Sequence, residues 1–190
     1  LAFADLTGGE LINDILDLSV NKKIPVFTRI PGKHCVDALL RVLLLKPDVK
    51  KFAESLTCVL TMRLIRLLCP KCRIPYQPHP TLLQKLGLPA GRIAELYKPM
   101  VYQPGMVDEN DVEIEPCSEC GGIGYRGRTG IFEMLTINDD LRRAIVKTPQ
   151  ANKISALAKH QGHISLQMEG VVMVAAGRTS LEELQRVLKS

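Results

Sequence analysis

Four of the six cysteines fall into two Cys-x-x-Cys pairs, Cys69 with Cys72 in CPKC and Cys117 with Cys120 in CSEC. A pair at this spacing makes a tight turn whose two sulfurs and following backbone N–H groups face one cation. Two such turns complete a tetrahedral four-cysteine shell with Zn–S distances of about 2.3 Å. The spacing therefore predicts a structural Zn²⁺ held by Cys69, Cys72, Cys117 and Cys120. Four thiolates leave no open position, which argues against catalytic zinc. Two readings compete: unligated thiols in a degenerate site, and a redox pair of the kind that sits at a helix start beside a βαβ unit. Both pairs lie in Pro-rich or Gly-rich stretches, which suits the redox reading poorly. Lys71, Arg73 and Arg126 stand close by in sequence, where they would offset the charge of four thiolates on Zn²⁺.

The glycines after the second pair invite a phosphate reading. Gly122, Gly124 and Gly127 satisfy G-x-G-x-x-G, but that fingerprint needs a strand before it and a helix after it. Here a Cys-x-x-Cys precedes it and the strand-like TGIFEML follows. Gly32 and Lys33 are followed by His34, not by Ser or Thr, and no Gly stands five residues earlier, so the phosphate loop G-x-x-x-x-G-K-[ST] is not met either. Cys35 and Cys58 sit in apolar, helix-like contexts and read as small buried residues. His79 reads as an exposed loop residue, and His160 and His163 lie at a helix end near Gly162, where partial charge on the last carbonyls suits them. No Ser, His and Asp arrangement and no paired-carboxylate motif stands out, so no catalytic residue is assigned.

The elements that must position these groups change character along the chain. ELINDILDLSV places Leu11, Ile15 and Leu18 on one helical face, IPVFTRI (residues 24–30) suits a strand, and residues 36–46 read as a largely buried helix stopped by Pro47. A further helix is expected after Asp48, burying Phe52, Leu56, Val59 and Leu60. Between residues 69 and 130, prolines at 70, 75, 78, 80, 89, 99, 104 and 116 leave room for two short helices, at residues 81–86 and 92–97. A stretch with so few apolar clusters needs another organiser, and the metal supplies one. Helices return after Gly130. Thr148 with Pro149 is expected to start one, and Thr179 with Glu182, or Ser180 with Glu183, forms a capping box ahead of Leu181, Leu184 and Leu188.

Composition bounds the class. A chain of 190 residues can bury about 70% of its unfolded surface without disulfide staples. Hydrophobic residues at 46% and charged ones at 24% are the balance of a globular protein. No apolar run reaches the roughly 18 residues of a membrane span and no signal peptide is apparent, which predicts a cytosolic chain. It opens on Leu1, which predicts a segment of a longer protein. The net charge of +5 is mild, and aromatics at 4% without Trp leave few stacking platforms for single-stranded nucleic acid.

Three ordered blocks, RLIRLLCPKCRIPY (residues 63–76), CSECGGIGYRGRTGIFEMLTINDDLR (117–142) and GRTSLEELQRVL (177–188), closely resemble the C-terminal part of the type II secretion and type IV pilus assembly ATPases of the tetracysteine subgroup. The resemblance implies an α/β fold: a C-terminal remnant of a RecA-like domain at residues 1–68, a tetracysteine zinc-binding subdomain at 69–130, and a helical C-terminal region at 131–190. It further implies a homo-oligomeric, hexameric ring at the cytoplasmic face of a bacterial inner membrane, meeting platform proteins there. ATP and Mg²⁺ belong to the full-length family context. The catalytic motifs depart from the family pattern: Pro31 stands where a histidine is expected, Met62 where Gln is usual, and residues 3–10 match the acidic Walker B stretch only if Asp5 is slipped by a residue. Arg41 matches the usual arginine.

Three functions follow from these residues. The first is a piece of a secretion or pilus motor ATPase whose nucleotide loop lies outside this chain. The second is a non-hydrolysing paralogue that keeps the ring and the metal subdomain as a docking module. The third is a zinc-ribbon nucleic-acid binder using Arg63, Arg66, Lys71, Arg73, Arg126 and Arg128 on phosphates. The aromatic content and the unclustered charge argue against the third, and no nucleic-acid partner is expected.

Overall fold

The computed structural model describes residues 1–6, 9–89, 91 and 93–189. In chain order the elements are β1 (Ala2–Asp5), α1 (Gly9–Lys22), β2 (Phe27–Arg29), α2 (Cys35–Leu44), α3 (Val49–Ser55), β3 (Cys58–Leu68), β4 (Ile74–Tyr76), α4 (Pro80–Leu86), β5 (Leu96–Lys98), β6 (Tyr125–Thr136), α5 (Asp139–Lys147), α6 (Ala151–His160), α7 (Leu166–Ala175) and α8 (Leu181–Lys189). Three two-stranded pairings occur among them: β1 with β2 in parallel, β4 with β5 antiparallel, and the long β3 with β6. The chain is α/β, as expected.

It divides into two compact units that interleave in sequence, Leu1–Thr61 with Phe132–Ser165, and Met62–Ile131 with Leu166–Ser190. The boundary falls inside both β3 and β6.

In the first unit, Ile12 and Leu16 of α1, Leu39 of α2, Phe52 of α3, Leu135 of β6, Leu141 and Ile145 of α5, and Ile154 of α6 form one buried cluster. The side chains lie at i and i+4, as an amphipathic helix requires. The buried face of α1 carries Ile12, Ile15 and Leu16, while Leu11, expected to face inward, is exposed. Helices α2, α3 and α5 start on side-chain oxygens or nitrogens that satisfy otherwise orphaned N–H groups, while α6 has no side-chain cap. Asp48 Oδ1 accepts from Lys50 and Lys51 N–H, and Asn138 Oδ1 accepts from Leu141 N–H.

Two expectations fail here. The helix after Asp48 stops at Ser55, and Val59 and Leu60 belong to β3, where Leu60 is exposed. Thr148 ends α5 and does not start α6, whose cap residue is Gln150; proline suits the position just past a helix end as well as the position just inside a helix start.

In the second unit, Ile65, Leu96, Ile131, Leu166, Val171, Val174, Leu184 and Val187 form the core. A Cβ on Gly170 would stand 2.1 Å from Leu184 Cδ1, so glycine is what lets α7 and α8 approach. The Pro-rich middle is less irregular than the sequence suggests. The helix expected at 81–86 is α4, started by His79 Nδ1, which accepts from Thr81 N–H. The one expected at 92–97 is absent among the described residues, Arg92 lying outside them; residues 96–98 are β5, paired Tyr76 to Leu96 with β4. Asp108 Oδ1 accepts from Asn110 and Val112 N–H and so closes a small turn between residues 107 and 113.

Candidate metal centre

Cys69 follows the last residue of β3, and its N–H donates to Gly124 O at 3.0 Å, which fixes the first cysteine turn against the approach to β6. The two turns repeat one geometry. Arg73 N–H donates to Cys69 O at 3.1 Å, and Gly121 N–H donates to Cys117 O at 2.8 Å, in each case from the fourth residue on. Gly124 N–H points at Cys120 Sγ, 3.3 Å away, the kind of donor a thiolate accepts.

The four sulfurs converge. Cys69 and Cys117 Sγ are 3.9 Å apart, Cys72 and Cys120 Sγ 3.6 Å, and all four lie within 4.8 Å of one another. A tetrahedral shell with Zn–S bonds of about 2.3 Å places its sulfurs about 3.8 Å apart. These separations are far beyond the roughly 2.05 Å of a disulfide. The donor set can therefore hold one soft or borderline metal ion, and the sequence-predicted ligands are all present in it. Backbone N–H groups of Glu119 and Cys120 hold the Cys117 thiol down at about 7, whereas burial and then the neighbouring thiols push Cys72 up. Metal binding would remove that second obstacle by displacing the protons.

The glycines serve this turn, not a phosphate. Gly122 and Gly124 have φ of 83° and 75°, and a Cβ on them would stand 2.7 Å from Tyr102 Cβ and 2.6 Å from Pro99 Cβ. The space that a pyrophosphate would need is filled by residues 99–102. Gly124→Ala should cost about 2–4 kcal/mol, combining left-handed strain with a backbone clash. Gly127→Ala, with φ of 79° but open space around it, should cost about 1 kcal/mol. Urea unfolding of the two variants would reveal the difference, and equal costs would refute the close-approach argument.

The cations near the site are committed elsewhere. Lys71 Nζ donates to Ser118 Oγ, tying one turn to the other at 2.8 Å. Arg73 donates to Gly177 O at 2.6 Å and lies over the Tyr97 ring, while Arg126 pairs with Glu119. Arg66 is bound to Glu183 and lies over Tyr125. The basic patch imagined for nucleic acid is thus largely spent on internal contacts.

At the other candidate phosphate site, Gly32 packs against Ala38, and His34 Nδ1 accepts from Asp37 N–H to start α2. Arg41, matched to the family arginine, pairs with Asp37 at 3.0 Å. The acidic stretch at residues 3–10 includes Thr7 and Gly8, which lie outside the described residues.

The sequence reading missed a second constellation. Cys35, Glu133 and His163 bring one sulfur, one carboxylate oxygen and one imidazole nitrogen within 4.8 Å of one another. Cys35, in the first turn of α2, is helical and buried as expected, whereas Cys58 lies in β3 and is exposed. Burial, then the Glu133 charge, push the Cys35 thiol up to about 11 against a hydrogen bond with Thr61. Residues 35, 133 and 163 are too far apart in the chain for any spacing rule to join them.

A family model described as Type II/IV secretion system protein matches residues 25–186. The chain is 36% identical over 134 residues to the type IV pilus assembly ATPase PilB of Thermus thermophilus, covering 70% of this chain and 13% of that protein. It is 38% identical over 137 residues to the type II secretion system protein E of Dickeya dadantii, covering 72% of this chain and 24% of that protein. The X-ray structure of the Yersinia pseudotuberculosis ATPase DotB aligns over 98% of this chain and 36% of its own, with a TM-score of 0.56 and 11% identity, a likeness of fold. This chain therefore spans about an eighth to a quarter of those two relatives. With the model matching most of its length, the chain belongs to the type II/IV secretion system protein family.

Proposed function

We propose that this chain is the C-terminal part of a hexameric motor ATPase of type II secretion or type IV pilus assembly, and that its own contribution is a zinc-tied subdomain. The observation that carries the reading is the gathering of Cys69, Cys72, Cys117 and Cys120 at tetrahedral spacing in a member of this family. In this reading residues 1–68 are a partial RecA-like core, 69–130 the tetracysteine subdomain and 131–190 a helical C-terminal region. Zn²⁺ bound by the four thiolates has no open position and supplies no chemistry beyond crosslinking. ATP and Mg²⁺ would be held by a phosphate loop elsewhere in the ring, because the 190 residues contain no G-x-x-x-x-G-K-[ST]. The ring would work in the cytoplasm, peripheral to the inner membrane and against its platform proteins. No helix among the described residues is long and apolar enough to cross a membrane, which fits that placement.

A second reading, a catalytically degenerate paralogue acting as an assembly or docking module, is favoured by one observation. The start of α2, where Gly32, Lys33 and His34 give the nearest approach to a phosphate motif, is closed by its own side chains. Sequencing the coding DNA upstream of Leu1, followed by an ATPase assay on the full product, separates the two. An in-frame phosphate loop with turnover supports the motor; a start codon near Leu1, or a loop without its lysine and no turnover, supports the docking module.

A further inference from the structure

We propose that Cys35, Glu133 and His163 form a second metal site, made wholly within the first unit, for a divalent ion of the zinc class. Each residue comes from a different element: Cys35 from the first turn of α2, Glu133 from β6, and His163 from the segment after α6. The side chains of Glu133 and His163 are only 3% and 13% exposed, and Cys35 is fully buried. Glu133 Oε1 lies 3.5 Å from His163 Nε2. Ligands on a tetrahedral zinc at about 2.1 Å stand about 3.4 Å apart, so this edge of the shell is already in place.

The polar accounting points the same way. His163 Nε2 is a buried atom that makes no hydrogen bond, its contact with Glu133 Oε1 being 3.5 Å, and a buried nitrogen without a hydrogen bond is costly. Glu133 Oε1 accepts the Cys35 N–H at 3.0 Å, which aims the carboxylate at the start of α2 and leaves it beside the imidazole. Buried carboxylates are paired or bind metal, and here the carboxylate lies within 4.8 Å of an imidazole nitrogen and a cysteine sulfur, so the cluster offers one each of the three ligand types that zinc takes from proteins. Thr61 Oγ1, 3.3 Å from Cys35 Sγ, can donate to the thiolate once its proton is displaced. Three protein donors leave a fourth position open, unlike the closed shell of the four-cysteine centre.

Metal counting on the purified chain, loaded with Zn²⁺ and freed of excess, tests this. The expected content is two equivalents in the parent chain and one in both His163→Gln and Cys35→Ala, with helical circular dichroism retained. Cys35→Ala keeps a small apolar side chain in a buried position, so loss of fold in one variant leaves the other informative. X-ray absorption at the zinc edge of the parent chain should show nitrogen or oxygen neighbours beside sulfur. One equivalent with sulfur neighbours alone would overturn the site and reassign the cluster to a buried ion pair, as would two equivalents persisting in both variants. Cys72→Ser with Cys120→Ser addresses the four-cysteine centre separately, so failure of either site leaves the other standing.

Discussion

Stripping the metal from the four-cysteine centre is expected to open residues 73–116 to proteolysis before any other part of the chain. Only Leu83 and Leu96 are buried apolar side chains among the described residues of that segment. Two such side chains contribute about 3–6 kcal/mol, whereas ligation at a four-cysteine site supplies roughly 10–16 kcal/mol of apparent folding energy at neutral pH. The β4 and β5 pairing and the small turn at Asp108 are local and cannot replace a crosslink between residues 69–72 and 117–120. Limited trypsin digestion with and without a strong chelator, read by mass spectrometry, gives the result directly. Cleavage at Arg73 and Lys85 should rise steeply, and Cys120→Ser should reproduce it without chelator, while Cys58→Ser, at an exposed position outside the cluster, should behave as the parent. Unchanged cleavage on metal removal would show that the segment holds itself. Acid should act in the same direction, since each thiol must lose its proton to bind and affinity falls as pH drops.

The metal centre was legible in sequence because its geometry is local. A Cys-x-x-Cys turn positions two sulfurs within four residues, so only the pairing of two turns had to be inferred. Register and boundaries were less legible. In β3 the buried residues Thr61, Ile65 and Leu68 recur at nearly helical spacing, and Leu60, Met62 and Leu64, on the face opposite Thr61 and Ile65, are apolar but exposed. A strand with apolar residues on both faces shows no period of two, which is why a helix was expected to run into it. The constellation of Cys35, Glu133 and His163 left no trace at all, because it depends on three elements meeting. The capping box before α8 was half legible. Ser180 Oγ does accept the Glu183 N–H at 3.1 Å, but the Glu183 carboxylate turns away from the helix start.

That carboxylate carries the second large prediction. Glu183 is 1% exposed, and it accepts from Arg66 N–H at 3.0 Å, from the Arg66 guanidinium at 2.6 Å and from Arg186 at 2.7 Å. These contacts join β3 to α8, and Thr179 Oγ1 adds a hydrogen bond to Arg66 O at 2.8 Å. Glu183→Gln should destabilise the second unit by about 3 kcal/mol, the lower end for breaking a buried pair. The lower end applies because the Arg66 and Arg186 side chains are 38% and 57% exposed and can turn to water, whereas the Arg66 N–H cannot. Burial alone would raise the Glu183 pKa, but the hydrogen bonds from Arg186, then from the Arg66 side chain and backbone, outweigh it and hold the group at about 2 against an ordinary 4.5. A depressed carboxylate stabilises the fold fully above its unfolded value, and that stability drains away as pH falls from about 4.5 through 2, by about 3 kcal/mol in all. Acid also loosens the metal centre, so the informative quantity is the difference between parent and Glu183→Gln in urea unfolding at each pH. That difference should be about 3 kcal/mol at pH 6 and shrink toward zero near pH 2. A difference that stays constant across this range would mean that the glutamine removes packing and not charge, and the ion cluster would lose its place as the tie between β3 and α8.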